Sequence, residues 1–208
     1  ARTAGFGDAT IYNYFPTKEM IIYGYYEDQF ELVIDQLKQI EDFNEYTFQE
    51  QLQVFFETKL EIFTKDREFI ENTFSDSFFA MTQHYRLIRP IKDKFMAIID
   101  DIFSNAVEAE EIPEQVFKEI TMQMFWEYYV TIVIYWLKDD SERFENTSVL
   151  IDKSLELACS AIQAGIANKL FDISIFLFKN HILSRMDRVS DHVSLFHGIK
   201  KRFMEDVK

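Results

Sequence analysis

Apolar positions along this chain return every three or four residues and nowhere alternate as they do in strands. In "MIIYGYYEDQFELVIDQLKQI", Ile22, Tyr26, Phe30, Val33, Leu37 and Ile40 mark one face of a long helix. Thr17 precedes the run as its N-cap, and Glu19 lies in the first turn, facing the positive helix end. Pro16 stops any upstream helix from running through. Only 5 Gly and 3 Pro punctuate 208 residues, so the segments between breaks are long. "DFNEYT" (42–47) ends the first long helix, and Thr47 or Asn44 starts the next. "TKDRE" (64–68) and "RLIRP" (86–90) bound a helix of roughly 15 to 20 residues. "EAEEIPE" (108–114) is a turn with Pro113 at a helix start, and "KDDSERFENT" (138–147) is a polar loop capped by Asp140 or Ser141. "AGIANKLFD" (164–172) and "MDRVSD" (186–191) separate the last helical stretches. The expected fold is all-α with about nine helices, the first of them, Ala1 to Gly5, a fragment.

Composition adds the material for a core. Apolar residues make up 48% of the chain and aromatics 16%, with 22 Phe and 10 Tyr, more than packing alone demands. The net charge of −14 argues against a protein that coats nucleic acid along its whole surface. The charge is uneven, however. In residues 1–24, Arg2 and Lys18 balance Asp8 and Glu19, so a small domain escapes the whole-chain average. A basic group near the end, Arg185, Arg188, Lys200, Lys201 and Arg202, reads as a solvated helix face or as a contact to DNA or an acidic neighbour.

Several chemistries find no footing. Cys159 is the single cysteine and lies on an apolar helical stripe, so it is expected as a buried thiol with no internal disulfide. The longest apolar run, Tyr128 to Leu137, is too short for a membrane span, and no signal peptide is recognisable, so the chain reads as cytoplasmic. A di-iron bundle needs Glu-x-x-His pairs, but Met81, Phe178, Val189 and Ser194 stand three residues before the histidines His84, His181, His192 and His197. There is no Gly-rich phosphate loop and no Gly-x-Ser-x-Gly elbow. The expectation is a protein without metal, cofactor or enzymatic activity.

The sharpest signal is "AGFGDATIYNYFPTKEM", residues 4–20. "ARTAG" is the last turn of a helix closed by Gly5, "FGD" is a tight turn, and "DATIYNYF" is a helix of about two turns. Ile11 and Phe15, four apart, form its buried stripe. Thr10, Tyr12, Asn13 and Tyr14 point elsewhere and offer hydroxyls and an amide, groups that bond phosphates and base edges. Helix, glycine turn and short second helix is the arrangement of a helix-turn-helix reader.

At Ala4, Gly5, Phe6, Thr10, Ile11, Tyr12, Tyr14, Phe15, Thr17, Lys18 and Glu19 the stretch resembles the TetR family of transcriptional regulators. The resemblance implies a three-helix DNA-binding domain followed by a helical ligand-binding and dimerisation domain, here residues 1–42 and 43–208. It also implies a first helix and most of a second ahead of this stretch, about 25 residues that this sequence does not contain. Carried over residue by residue, Thr10, Tyr12 and Asn13 contact bases or backbone of an operator duplex, and Tyr14 and Lys18 contact phosphate, Lys18 aided by its helix N-terminus. Where the family often has Ser-Lys or Ser-Arg, this chain has Gly7-Asp8. Asp8 either caps its helix or accepts from a cytosine amino group.

For the larger domain the resemblance implies a four-helix dimer interface from helices near 113–138 and 146–165, and a cavity for an apolar or aromatic effector. Phe56, Phe63, Phe74, Phe78, Tyr85, Phe95, Phe125, Trp126 and Tyr129 fall on the helices that line that cavity in the family, with Tyr and Trp tips to orient a ligand. "WLKDDS" with "LIDKSLEL" loosely resembles a lipid-binding ubiquinone-biosynthesis protein of TetR-derived fold. Two functions follow: a ligand-responsive homodimeric regulator, a repressor, on a palindromic operator; or a lipid- or small-molecule-binding helical protein whose DNA-binding end is vestigial.

Overall fold

The computed structural model describes residues 13–79 and 85–177. Seven α-helices run through them: α1 Lys18–Leu37, α2 Phe48–Thr64, α3 Arg67–Phe79, α4 Tyr85–Glu108, α5 Lys118–Leu137, α6 Glu145–Gln163 and α7 Ile166–Leu177. No strand occurs among the described residues, so the all-α expectation holds there. No described helix is long and apolar enough to cross a membrane. The chain divides into two compact units, Ala1–Ala164 and Gly165–Lys208.

Within the first unit α2 is the central helix, packed against α1, α3, α4, α5 and α6. Its start is set locally. The Thr47 hydroxyl accepts from Glu50 N while a Glu50 carboxylate oxygen accepts from Thr47 N at 2.9 Å, a reciprocal cap that satisfies two otherwise orphaned donors. A second carboxylate, that of Glu111, accepts from Phe48 N at 2.7 Å and so ties the α4–α5 turn to the positive end of α2. One face of α2 is then buried: Phe48, Leu52, Phe55, Phe56, Leu60 and Phe63 follow the expected period.

α1 starts where the sequence predicts, with Thr17 extended and its hydroxyl accepting from Met20 N at 3.3 Å. It is fastened on two sides. Tyr23 OH donates to Ser77 O at 2.9 Å, Tyr26 OH shares a 2.8 Å bond with Thr73 Oγ1, and Tyr25 OH donates to Asp66 Oδ2 at 3.0 Å, all at or just before α3. From α4, Lys94 pairs with Glu31 and lies 3.7 Å from Glu27.

Four boundaries differ from the sequence reading. Pro90 lies inside α4 rather than ending a helix. It stands in the second turn, so it removes a single hydrogen bond, and burial of Ile91 and Phe95 at zero exposure holds the turn in place. Pro113 does not open α5, which begins at Lys118. The intervening residues are held outside the helix by buried Ile112 and by Gln115, whose Nε2 donates to Pro113 O at 2.7 Å. The cap of α6 centres on Asp139, not Asp140. Its carboxylate accepts from Ser141 N and Oγ and from Thr147 N and Oγ1, and Ser141 Oγ in turn accepts from Asn146 N. Finally, "AGIANKLFD" is not a separator beyond its first two residues: the break is Ala164–Gly165, with Gly165 at φ 60, and α7 starts at Ile166. The expected breaks in 186–191 and the fragment 1–5 lie outside the described residues.

α5 is apolar nearly all round, with one face buried and Ile120, Met124 and Tyr135 exposed on the other. Met122, Phe125, Trp126, Tyr129, Val133 and Trp136 are buried, and α5 packs against α2, α3 and α4 as well as α6. Cys159 is buried as expected, and burial pushes its thiol up to about 12. In the second unit, Ile166, Leu170, Ile173 and Phe176 of α7 are exposed apolar side chains.

Candidate functional site

Two regions bear on function. In the first, Asp8, Thr10 and Tyr12 lie outside the described residues, as does Ile11. Asn13 and Tyr14 are helical and exposed, Tyr14 to 76%, and Lys18 is exposed as the first residue of α1. Phe15, expected in a core, is instead 38% exposed. Its ring edge rests over Gly24 of α1: a Cβ added there would meet Phe15 Cε1 at 3.2 Å. The short turn between Tyr14 and Lys18 thus crosses the start of α1 closely, with Pro16 and the Thr17 cap fixing the chain direction.

The second region is the aromatic interior. Most of the expected ligand residues meet there in one ring network. Phe74 stacks on Phe78 at 4.1 Å, Phe78 lies 5.9 Å from Trp126, and Phe95 is 5.4 Å from both Trp126 and Tyr129. Phe63 joins through Tyr26 at 6.0 Å. Phe56 and Phe125 belong to another flank, around Tyr128, whose hydroxyl shares a 2.8 Å bond with Ser154 Oγ of α6. Tyr85 opens α4. An open surface cleft between α1 and α4, lined by Ile34, Leu37, Asp101 and Asn105 among others, contains none of the expected residues.

The network also contains a residue that the aromatic pattern hides. Lys59 of α2 has zero exposure, and its Nζ sits 3.8 Å from the centre of the Phe30 ring and 4.4 Å from that of Phe63, with no hydrogen-bond partner. Phe30 in turn lies 5.7 Å from Tyr129, and Phe63 lies 6.4 Å from Trp136. Tyr129 OH and Trp136 Nε1 are likewise buried and unpartnered. Burial drives the Lys59 amine well below its ordinary value and the Tyr129 hydroxyl well above it. The ring faces attract the ammonium by up to about 2 kcal/mol, but removing an ion from water costs several kcal/mol, so desolvation wins and the amine shifts toward its neutral form. Arg67 lies nearby on the same ring chain, its guanidinium 5.5 Å from Trp136 and its Nη2 donating to Leu137 O at 2.7 Å.

Lys59 was findable. In "FFETKLEIF" it stands four after Phe55, three after Phe56 and four before Phe63, so a charged residue occupies the buried stripe itself. Phe30 was visible on the α1 stripe but not as a neighbour of this amine, because that adjacency joins two helices, α1 and α2, across the core.

Residues 51–177, more than half of the chain, match the family described as tetracyclin repressor-like, C-terminal domain. A search of curated proteins finds no match.

Proposed function

The chain belongs to the tetracyclin repressor-like family, and from that premise we propose that it is a ligand-responsive DNA-binding transcriptional regulator, a repressor that acts as a homodimer on a palindromic operator. The observation that carries the reading is the order of parts in one chain. A stretch at 4–20 with the residue pattern of a DNA reader leads, through α1, into a domain matched to this family. Residues 1–42 serve as the reader with its connecting helix, and residues 43–208 bind effector and dimerise.

Thr10, Tyr12 and Asn13 contact bases or backbone, and Tyr14 and Lys18 contact phosphate. The exposure of Tyr14 and Lys18 supports those two roles. The effector lies among the rings of Phe63, Phe74, Phe78, Phe95, Trp126 and Tyr129. α1 couples the two regions, since the helix that starts at Lys18 buries Tyr26 and Phe30 in that ring network. An effector that packs better against one setting of α1 than another shifts the population toward it, and DNA affinity changes by the same coupling energy. Exposed apolar side chains on α5 (Ile120, Met124, Tyr135) and α6 (Val149, Leu157) support the pairing of these two helices with their copies in a second chain.

A gel shift with the full chain and DNA from upstream of its own gene tests the reading. A sequence-specific shift is expected, weakened by Lys18→Ala roughly uniformly across sequences, with the salt slope reduced by about one. No specific shift at low salt sinks the regulatory reading and leaves a helical small-molecule binder with a vestigial reader.

A further inference from the structure

Among the described residues, five buried side-chain polar atoms lack a hydrogen-bond partner: Gln51 Oε1, Lys59 Nζ, Arg67 Nε, Tyr129 OH and Trp136 Nε1. Four of the five can donate, and three of those, on Lys59, Tyr129 and Trp136, are linked through the Phe30 and Phe63 rings described above. A buried donor without an acceptor is destabilising, and an isolated buried amine is more so. No described carboxylate forms an ion pair with Lys59. The described interior therefore offers donors around a basic group within walls of aromatic carbon, and none of its described acceptors pairs with them.

We propose that Lys59, with Tyr129, anchors the carboxylate of an effector whose remaining body is apolar, a fatty or aryl-alkyl acid. The inference rests on the reading of the large domain as effector-binding and specifies the effector's chemistry. One ammonium and one hydroxyl match the two oxygens of a single carboxylate. A phosphate brings more charge and more acceptor oxygens than these donors answer. The rest of the effector lies against Phe74, Phe78, Phe95 and Trp126, which continue the ring network outward from Tyr129. The entering carboxylate supplies a counter-charge that the described residues do not, which raises the proton affinity of Lys59, and the two ring faces stabilise the ammonium form. The neutral ester of the same acid has no such pairing to gain.

The test uses the full chain and three carboxylates, decanoate, palmitate and phenylbutyrate, each beside its methyl ester, titrated calorimetrically at neutral pH. At least one acid is expected to bind, and to bind more tightly than its ester. Lys59→Met, which keeps the length of the side chain and removes the amine, is expected to weaken the acid on the order of tenfold to a hundredfold, the scale of one charge-assisted hydrogen bond, while leaving the ester unchanged or tighter. Tyr129→Phe is expected to weaken the acid by a smaller factor in the same direction. Heats measured between pH 6 and pH 9 in buffers of different ionisation enthalpy should show proton uptake with the wild type at the pH where the free amine is neutral, and none at any pH with Lys59→Met. The anchor is overturned if no acid binds, if esters bind as tightly as acids, or if Lys59→Met keeps the preference for acid. The gel shift separates this from the regulatory reading. Lys59-dependent acid binding that leaves operator DNA unaffected supports the anchor and removes the effector role, whereas DNA released only by neutral apolar compounds removes the anchor alone.

Discussion

Replacing Lys59 by methionine should make the unliganded protein more stable. The perturbation is clean: the side chain has zero exposure, its amine has no hydrogen-bond partner, and its neighbours are the Phe30 and Phe63 rings. A flexible thioether fills the same space, and sulfur packs well against aromatic rings. Leaving a buried donor unsatisfied costs about 1–3 kcal/mol, and the substitution removes that cost. A gain near 2 kcal/mol raises Tm by about 4–8 °C in a chain of this size. Proton linkage gives an independent signature. The folded amine sits well below its ordinary 10.5, so between the depressed value and 10.5 the unfolded chain binds more protons than the folded one. Wild-type stability therefore rises with pH across that window, at no more than about 1.4 kcal/mol per pH unit, the limit for one proton. The titratable groups that face this cluster from α1 and α5 are Tyr26 and Tyr129, both raised by burial. They ionise first in the unfolded chain above pH 10 and reverse the slope there, so urea unfolding at pH 7 and pH 9 is the right comparison. Lys59→Met should unfold at higher urea at pH 7 and lose the excess slope. A variant that unfolds earlier than wild type, with an unchanged pH slope, would refute the description of Lys59 as a buried unpaired amine.

Two further substitutions check local structure. Asp139→Ala removes the four hydrogen bonds that its carboxylate accepts across the α5–α6 connection, and should lower the urea midpoint at pH 7. Those bonds hold the Asp139 carboxyl well below its ordinary 3.8, so its contribution is present above that value and fades as pH falls through the lower folded one; wild type and variant should converge in acid. Gly24→Ala should stabilise α1 by about 0.5–1 kcal/mol, the usual helix gain, because among the described residues the close neighbour of the new methyl is the partly exposed Phe15 ring. A loss in Tm would show that Phe15 is held in place there.

Local signals were legible wherever the determinant was itself local. The Thr17 and Thr47 caps, the α1 and α2 stripes and the burial of Cys159 follow from spacing and side-chain chemistry within a turn or two. Pro90 and Pro113 misled for a shared reason. Proline reports what the backbone cannot do at one residue, while the helix boundary was decided by what the neighbours bury: Ile91 and Phe95 in one case, Ile112 and Gln115 in the other. Asp139 was passed over for Asp140 and Ser141 because capping rules look one residue from the helix, whereas this carboxylate reaches across a 3₁₀ turn in which Arg143 and Phe144 both take positive φ. The ring network was legible as composition but not as geometry. Lys59 was legible as an exception within its stripe, yet its significance depends on Phe30, Tyr129 and Trp136, supplied by other helices.

The fastening of α1 sets a mechanical limit. Tyr23, Tyr25 and Tyr26 pin one side and Lys94 holds Glu27 and Glu31 on the other, so the span from Tyr23 to Glu31 is clamped. The arm left between Tyr23 and Lys18 is only about 7–8 Å long. A 10° swing of that arm alone would carry Lys18 about 1.3 Å, less than half the length of a hydrogen bond. Any displacement of several ångströms at Lys18 must therefore carry α3 and the Lys94 turn of α4 along with α1. The transmission has the gearing of a rotating block rather than of a pendulum, and the tyrosine hydroxyls are the teeth that would slip first.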